Sequence, residues 1–306
     1  MSSHPAPYEI SGWRDAGKRV RRSKLVVAGL VILAFFAVLS FIHPVLQATV
    51  WSSRPSVYRP ETGHDPAILH PSGPTLAHPL GTDPVGRDVL SMVTYGLRPS
   101  FTVAVATAIS AGVIGIVAGT SAAFFRGKYD RLMSHVADAF VLLPPPLVFL
   151  IASKRGLLGP FELGLLYGLF FGLGPAAIVV RSRSLAVMEK PFIEAARCAG
   201  GSPRWIITHH VVPEVIPHAA VVVLAGVVGA LITQGFVEFL GIAEYRYGLG
   251  TLVYNALAYG MALGTRAPWS SLLAGAMSIS LLASSFYMIS AGLREVGDPR
   301  RGERRI

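Results

Sequence analysis

Charged residues and cysteine are scarce in this 306-residue sequence. Only 14% of its residues are Asp, Glu, Lys or Arg, whereas ordinary soluble domains carry about a quarter. A single cysteine, Cys198, excludes an intramolecular disulfide and a cysteine metal site. Because the sequence offers Cys198 no evident reactive partner, we interpret it as a small residue in a helix.

Motifs for catalysis and nucleotide binding are also absent. No glycine-rich loop ends in Lys-Ser or Lys-Thr, so the chain is not expected to bind ATP in the usual way. The sequence contains no HExxH and no serine-nucleophile motif. An intramembrane enzyme is therefore disfavoured, and no metal or other cofactor is expected in this chain.

Apolar residues, in contrast, make up 52% of the chain. They form long runs, and a helix needs about 20 mostly apolar residues to cross a bilayer. We predict an all-α integral membrane protein with six transmembrane helices. The apolar runs lie at 25–50, 100–125, 132–153, 157–180, 215–240 and 269–293. The first run is longer than the apolar part of a signal peptide, about 7–15 residues, and is interpreted as a retained helix.

The segments between these runs define the expected organisation. It consists of a tail at 1–24, a first helix at 25–50, an extramembrane loop at 51–98, a core at 99–293 with a polar loop at 181–213, and a tail at 294–306. Seven prolines break regular helix in the 51–98 loop, where a short helix or turn is expected only at 83–95. Residues 242–268 are predicted to be an external loop with a short re-entrant or surface helix.

Three histidines lie in the first of these loops, His64, His70 and His78. Their spacing is too irregular to argue for a metal site. We interpret them as solvated loop residues.

The distribution of positive charge predicts the orientation of the chain. Lys and Arg cluster in the two tails and at 126–131 and 181–204, and the other loops hold only eight of the 27. Positively charged loops stay in the cytoplasm. Both termini and the 181–213 loop are therefore expected in the cytoplasm, and the 51–98 loop outside. This topology accounts for the net charge of +10, and no nucleic-acid motif accompanies that charge.

Two backbone features are expected inside the apolar runs. Small residues between 104 and 119 allow close helix packing in a membrane. Pro144, Pro145 and Pro146 remove three backbone donors and must kink or break the third run. Such a break is tolerated only inside protein or beside water, so it is either a hinge along a transport pathway or a bend that serves packing.

Few ionisable side chains interrupt the apolar runs, namely His135, Asp138, Glu162 and Glu238. Asp138 and Glu238 either line a polar path or lie close to the membrane interface. A proton-driven transporter usually carries more buried carboxylates. A secondary transporter or channel that works without ATP is therefore the less favoured alternative.

The longest polar segment between two apolar runs contains EAARCAGGSPRWIITHHVVP at residues 194–213. Pro191 is suited to begin a helix, and Glu194 in its first turn favours the positive end of the helix dipole. Gly200 can end this helix in a left-handed cap, and Ser202 before a proline can open a second one. We predict a helix–turn–helix on the membrane surface, which is either a docking lever for a partner or an ordinary interfacial helix.

This segment resembles the EAA loop of permease subunits in bacterial and archaeal ABC importers. That pattern is Glu-Ala-Ala, three residues, Gly, and a spacer that ends in a hydrophobic residue and Pro. The matching residues are Glu194, Ala195, Ala196, Gly200 and Pro213. His210 stands where the general family often has Ile and where the dipeptide/oligopeptide branch commonly has His.

Other stretches are similar to the DppC/OppC type of this family, over about residues 15 to 300. HPLGTDPVGRDVLSMVTYGLRPS at 78–100 looks like the segment before the second helix in that type. FFRGKYD, LLPPPLVFLIA and GLREVGDPR also resemble it. Met92 replaces a frequent Arg, and residues 242–262 differ from the family's usual proline-rich segment.

The resemblance implies a type I ABC importer permease fold in the cell membrane, surrounded by lipid. The chain would pair with a homologous permease, and two ATPase subunits would bind ATP and Mg below it. An extracellular solute-binding protein would deliver the substrate, and the EAA loop would be the coupling helix seated in a cleft of one ATPase. Peptides are the implied cargo. Nickel chelates and oligosaccharides are carried by relatives in the same branch, and both stay as alternatives.

Overall fold

The computed structural model describes residues 20–154, 159–241, 247–262 and 269–297, and its regular structure in these ranges is helical. The helices are α1 Lys24–Ala48, α2 Val89–Phe125, α3 Gly127–Leu142, α4 Pro145–Ser153, α5 Pro160–Phe171, α6 Ala177–Met188, α7 Pro191–Cys198, α8 Pro203–Ile206, α9 Val212–Phe239, α10 Leu249–Ala262 and α11 Trp269–Gly297. Wide helical turns at Gly172–Ala176 and Ile207–Val211 join α5 to α6 and α8 to α9.

Five helical segments in the described ranges are long and apolar enough to cross a membrane. They are Lys24–Ala48, Val89–Phe125, Pro160–Met188, Pro203–Phe239 and Trp269–Val296. α3 and α4 together qualify as a sixth span, which is bent by 73° between them. The predicted all-α membrane architecture is confirmed, with five spans, or six when the bent pair is one span.

The second span begins earlier than the sequence predicted. α2 starts at Val89, ahead of the expected boundary at 99, because Asp88 accepts the N–H of Ser91 at 2.6 Å and caps the helix. Pro99 lies inside α2 without ending it. Leu97 and Val103 are buried on either side of this proline, so packing outweighs the lost hydrogen bond. The loop predicted at 51–98 is therefore shorter than expected.

α2 lies at the centre of the bundle, where it packs against α1, α5, α6 and α9. Small residues bring these backbones together, as predicted. A methyl group added at Gly119 of α2 would lie 2.7 Å from Val180 of α6, and one added at Gly164 of α5 would lie 2.6 Å from Ala106 of α2. Neither glycine can carry a side chain at this separation, so close packing of α2 depends on both.

The predicted proline break is confirmed between α3 and α4. α3 ends at Leu142, Pro144 has extended backbone, and Pro145 begins α4. Leu142 is 82% exposed and Leu143 is also exposed, so the break presents apolar side chains on the surface of the chain. Its function as a pathway hinge stays a prediction.

The loop before α2 is folded around a buried histidine. The ring nitrogens of His78, which is 1% exposed, lie 2.8 Å from Asp88 Oδ2 and 3.3 Å from Asp65 Oδ2. The half-buried His70 places Nδ1 2.9 Å from Thr82 Oγ1 and Nε2 2.7 Å from the Asp65 carbonyl oxygen. The prediction of solvated histidines is wrong for His78 and His70, because each has neighbouring polar groups to bond. Among the described residues, no group of His, Cys, Asp and Glu could hold a metal ion.

The pKa values of the two carboxyl groups around His78 are shifted in opposite directions. Burial raises the pKa of the Asp88 carboxyl above its usual range, although the Ser91 N–H and His78 oppose this shift. The pKa of Asp65 is lowered, chiefly because its carboxylate accepts the backbone N–H of Ala67. His78 thus bridges a carboxylate that retains its charge and one whose charge is disfavoured by burial.

His78→Ala should destabilise the protein more than the matched change His64→Ala. The first variant leaves Asp65 and Asp88 without their shared partner inside the protein, at an expected cost of about 3 kcal/mol. His64 is exposed and has a single hydrogen bond, to the Val85 carbonyl oxygen. Thermal unfolding in detergent measures the difference, and equal melting temperatures for the two variants would contradict it.

Candidate functional site

The polar segment singled out in the sequence has the predicted helix–turn–helix conformation. Pro191 begins α7 and Glu194 lies in its first turn. Gly200 follows with a left-handed φ of 81°. Its N–H donates to the Arg197 carbonyl oxygen at 3.0 Å, and the next N–H, of Gly201, donates to Ala196 at 3.0 Å. These two bonds form a glycine cap that reverses the chain after α7.

The second helix of the motif is the beginning of a long span. Ser202 Oγ accepts the N–H of Trp205 at 3.3 Å, and Pro203 occupies the first position of α8. From Pro203 the helix continues to Phe239.

The predicted polar loop at 181–213 is therefore wrong at both ends. α6 extends to Met188, because Val180 and Val187 are buried along one side of it together with Ser184, while Ser182 and Arg183 are exposed. The next span already begins at Pro203, so Pro213, in the first turn of α9, lies inside a continuous helical span.

Four of the five matched positions lie together on α7 and its cap. Glu194, Ala195 and Gly200 are exposed, and Ala196 is half-buried. Pro213 is separate from them, exposed in the first turn of α9. The structure thus gathers the Glu-Ala-Ala-Gly part of the pattern on one short surface element.

Two isoleucines attach this motif to the bundle. Ile193 of α7 and Ile206 of α8 are buried in one apolar cluster that is shared with the ends of three long helices. Its other buried members are Ala123 of α2, Val180, Val187 and Met188 of α6, Val211 of the wide turn before α9, and Val215 and Ala219 of α9. α7 is therefore packed, through this cluster, against residues of α2, α6 and α9.

The exposed side of the motif carries aromatic residues that the sequence reasoning missed. Phe192 is 42% exposed and Trp205 is 44% exposed. The Trp205 ring lies 4.8 Å from the His210 ring and 5.3 Å from the His209 ring, and Phe192 lies 5.9 Å from His210. Two large aromatic residues within an otherwise polar segment were the signal available. Exposed aromatic clusters with a polar rim are typical of protein–protein contacts.

Two ion pairs connect helices and loops next to the motif. Lys190, just before α7, forms an ion pair with Glu214 at the start of α9. Arg181 of α6 binds Asp130 of α3 through two hydrogen bonds, one of them 2.6 Å from Nη2 to Oδ2. The second pair ties the bent α3–α4 segment to the helix that leads into α7.

The ionisable residues inside the predicted runs occupy different environments. His135 and Asp138 are exposed on α3, and Asp138 lines a cavity of about 260 Å³ between α2, α3 and α6. Glu162 is exposed in the first turn of α5. Glu238 is 1% exposed in the last turn of α9, so it lies inside the protein rather than at its surface.

Comparison with known proteins places the chain within a family. Residues 111–295 match the family described as binding-protein-dependent transport system inner membrane component. Residues 11–59 match the N-terminal transmembrane domain of oligopeptide transport permease C. The chain belongs to this permease family. It is therefore a non-catalytic, multi-pass inner-membrane component of a binding-protein-dependent transport system.

Curated relatives of the permease cover almost all of the chain. It is 32% identical to the oligopeptide transport system permease protein OppC of Haemophilus influenzae, over 94% of this chain and 88% of that protein. It is 28% identical to the dipeptide transport system permease protein DppC of Alkalihalophilus pseudofirmus, over 95% and 91% respectively. A third relative, OppC of Mycobacterium tuberculosis, is 29% identical over 94% and 96%. The predicted membership in the DppC/OppC type is confirmed.

The cap of α7 yields a test of the motif's conformation. Gly200→Ala should destabilise the permease by about 1–2 kcal/mol, because a β-carbon disfavours left-handed backbone. Gly200→Asn is the matched control, since Asn tolerates this conformation better. A methyl group at position 200 meets no atom within 4 Å, so backbone strain alone is tested. Thermal unfolding in detergent should rank Gly above Asn above Ala, and equal stability of Ala and Asn would refute the assignment.

Proposed function

We propose that this permease forms half of the translocation pathway of an ATP-driven importer of dipeptides or oligopeptides. Family membership and relatives named for dipeptide and oligopeptide transport support this cargo. A homologous permease supplies the other half of the pathway, and an extracellular solute-binding protein delivers the peptide. Two ATPase subunits bind ATP and Mg, so the chemistry of hydrolysis lies outside this chain.

The α7–α8 motif is the coupling element in this proposal. The observation that carries it is the division of the motif into two sides. Ile193 and Ile206 fasten one side to three helices of the bundle, while Phe192 and Trp205 are exposed on the other. This is the arrangement needed by a short lever that inserts into a cleft of an ATPase subunit. Glu194, Ala195 and Gly200 add a small, polar surface that lets the partner approach the helix backbone.

Positive charge supports a cytoplasmic location for the motif. Arg197 and Arg204 lie on α7 and α8, and Lys190 lies just before them. The two tails are also rich in Lys and Arg, whereas the loop around His78 holds few. Cytoplasmic loops of membrane proteins show this bias. The motif and both termini thus lie on the side of the ATPases, and the His78 loop lies on the side of the binding protein.

The proline break provides the pathway face of the subunit. Pro144, Pro145 and Pro146 bend the α3–α4 segment by 73°, and the exposed Leu142 and Leu143 lie beside the bend. Exposed apolar side chains next to a broken helix fit a face covered by the second permease, since irregular backbone at membrane depth requires protein or water around it. The bend is then the hinge of this half of the pathway.

The motif, its buried cluster and the proline bend together explain how the pathway opens alternately to the two sides of the membrane. ATP binding closes the ATPase dimer and moves the cleft in which α7 is seated. The buried cluster around Ile193 and Ile206 passes this movement to α2, α6 and α9. The ATPases can shift the pathway towards one state only by binding that state more tightly than the other. The α7–α8 motif must therefore stay bound to the ATPase in both states.

Glu194→Lys and Ala195→Trp, both at exposed positions of α7, should each abolish most peptide uptake while the permease remains at its normal level in the membrane. The first variant reverses a charge on the proposed contact surface, and the second places a bulky ring there. Misplaced charge at an interface costs several kcal/mol, so uptake should fall by roughly tenfold or more.

Glu162→Lys is the control for the charge reversal, because Glu162 is exposed at the start of α5, away from the motif. Uptake of radiolabelled peptide and immunoblotting of membranes report transport and subunit level. Normal uptake by both motif variants would rule out the coupling assignment.

The cargo is tested with the assembled transporter and its solute-binding protein in proteoliposomes. ATP-dependent uptake of a labelled dipeptide and a labelled hexapeptide should exceed uptake of a nickel chelate and of an oligosaccharide. Omitting ATP and omitting the binding protein are the controls. Uptake of the nickel chelate or the oligosaccharide without peptide uptake would assign the permease to that cargo instead.

A further inference from the structure

Glu238 joins the end of one helix to the beginning of another. It lies in the last turn of α9, and its Oε2 accepts the backbone N–H of Gly250 at 2.8 Å. Its Oε1 accepts the Nε2 hydrogen of Gln234, one turn earlier in α9, at 2.7 Å. Gly250 belongs to the first turn of α10, where backbone N–H groups have no partner inside their own helix. The carboxylate supplies one of them with an acceptor.

The two helix ends are packed so closely that no side chain fits at position 248 or 250. A methyl group added at Gly248 would lie 2.0 Å from the Glu238 carboxyl group. One added at Gly250 would lie 2.3 Å from the Gly235 carbonyl oxygen and 2.8 Å from Glu238 Cβ. The α10 backbone can therefore approach α9 only because both positions are glycine.

A buried carboxylate needs such contacts to be tolerated. Transfer of a charged group out of water is strongly unfavourable unless hydrogen bonds compensate for it. The bonds of Glu238 to Gln234 and Gly250 supply this compensation, and the positive end of the α10 dipole adds to it. Separating α10 from α9 would take the Gly250 N–H donor away from this buried carboxylate, which disfavours separation.

The helix that carries Glu238 also carries half of the coupling motif. Residues Pro203–Phe239 form one continuous helical span, with Trp205 of the motif near its first end and Glu238 at its last. At 1.5 Å per residue, a helix of this size is about 55 Å long. The motif and the Glu238 contact therefore lie at opposite ends of one continuous helical span.

α10 is a short apolar helix inside the bundle. Leu249 and Leu252 are buried in the central core cluster with residues of α1, α2 and α9. α10 packs against α9 and α11, and it is shorter than the length needed to cross a bilayer. Its place at the end of α9 remote from the motif makes it a candidate for controlling access at that end.

We propose that Glu238 is a positioning residue that holds the first turn of α10 to the last turn of α9, so that movement of the α7–α8 motif reaches α10. The proposal rests on the proposed function of the motif and extends it to the far end of the transport pathway. Glu238 does not touch the cargo in this account. It makes α10 move together with α9 when the ATPases act on the Pro203 end of the span.

The experiment uses the complete transporter, with its ATPase subunits and solute-binding protein, in proteoliposomes. Glu238→Ala removes the acceptor, and Gly250→Ala forces α10 away from α9 by steric contact. The matched control is Gly112→Ala, because a methyl group at Gly112 of α2 meets only Val223 at an ordinary distance of 3.9 Å. Peptide uptake, ATP hydrolysis and retention of the ATPase subunits are measured on the same preparations.

Both contact variants should transport at least about tenfold less peptide per ATP hydrolysed, while ATPase retention and hydrolysis stay near normal. Glu238→Gln should recover part of the ratio, since an amide oxygen can accept one of the two hydrogen bonds. An unchanged ratio in Glu238→Ala would overturn the proposal. A parallel loss of uptake, hydrolysis and ATPase retention would also overturn it, because a merely structural role predicts that result.

Different variants distinguish the coupling role of the motif from the role of the α9–α10 contact. If the coupling assignment is wrong, Glu194→Lys keeps normal uptake and hydrolysis, whatever Glu238→Ala does. If only the α9–α10 contact is wrongly interpreted, Glu194→Lys loses uptake while Glu238→Ala keeps the normal ratio of uptake to hydrolysis.

Discussion

The burial of Ile193 and Ile206 against the ends of α2, α6 and α9 is the contact on which the rest of the structure depends. Full burial of one isoleucine contributes about 2–3 kcal/mol, so two of them fasten a short surface element firmly. The two side chains lie on either side of the glycine cap, and they fix α7 and α8 together. Without this contact the motif would be an exposed helical loop whose movement need not reach the membrane spans.

Two long helices connect this motif with the opposite end of the molecule. α2 begins at the Asp88 cap, beside the buried His78, and in its last turn Ala123 belongs to the buried cluster around Ile193 and Ile206. The span that begins at Pro203 carries Glu238 in its last turn, where its carboxylate binds the first turn of α10. Both ends of each helix are therefore fixed by specific contacts. A continuous helical connection of this kind is what a transporter needs if it is driven from one side and opens on the other.

Features set by neighbouring residues could be predicted from the sequence. The start at Pro191, the left-handed cap at Gly200 and the new start at Ser202 depend on local backbone preferences, and the structure contains all three. Features set by distant residues could not be predicted. Pro99 lies within α2 because of packing on both sides, and His78 is buried because Asp65 and Asp88 meet it from separate parts of the loop. No local pattern contains that information.

The most direct test of the central claim uses the only cysteine of the chain. Cys198 is exposed at the end of α7, inside the proposed contact with the ATPase. A thiol-to-amine crosslinker, applied to membranes that contain the complete transporter, should join this permease to an ATPase subunit, and Cys198→Ser should abolish the product. The account would be contradicted by crosslinking to the solute-binding protein instead, or by labelling of Cys198 from the external side with a membrane-impermeant thiol reagent.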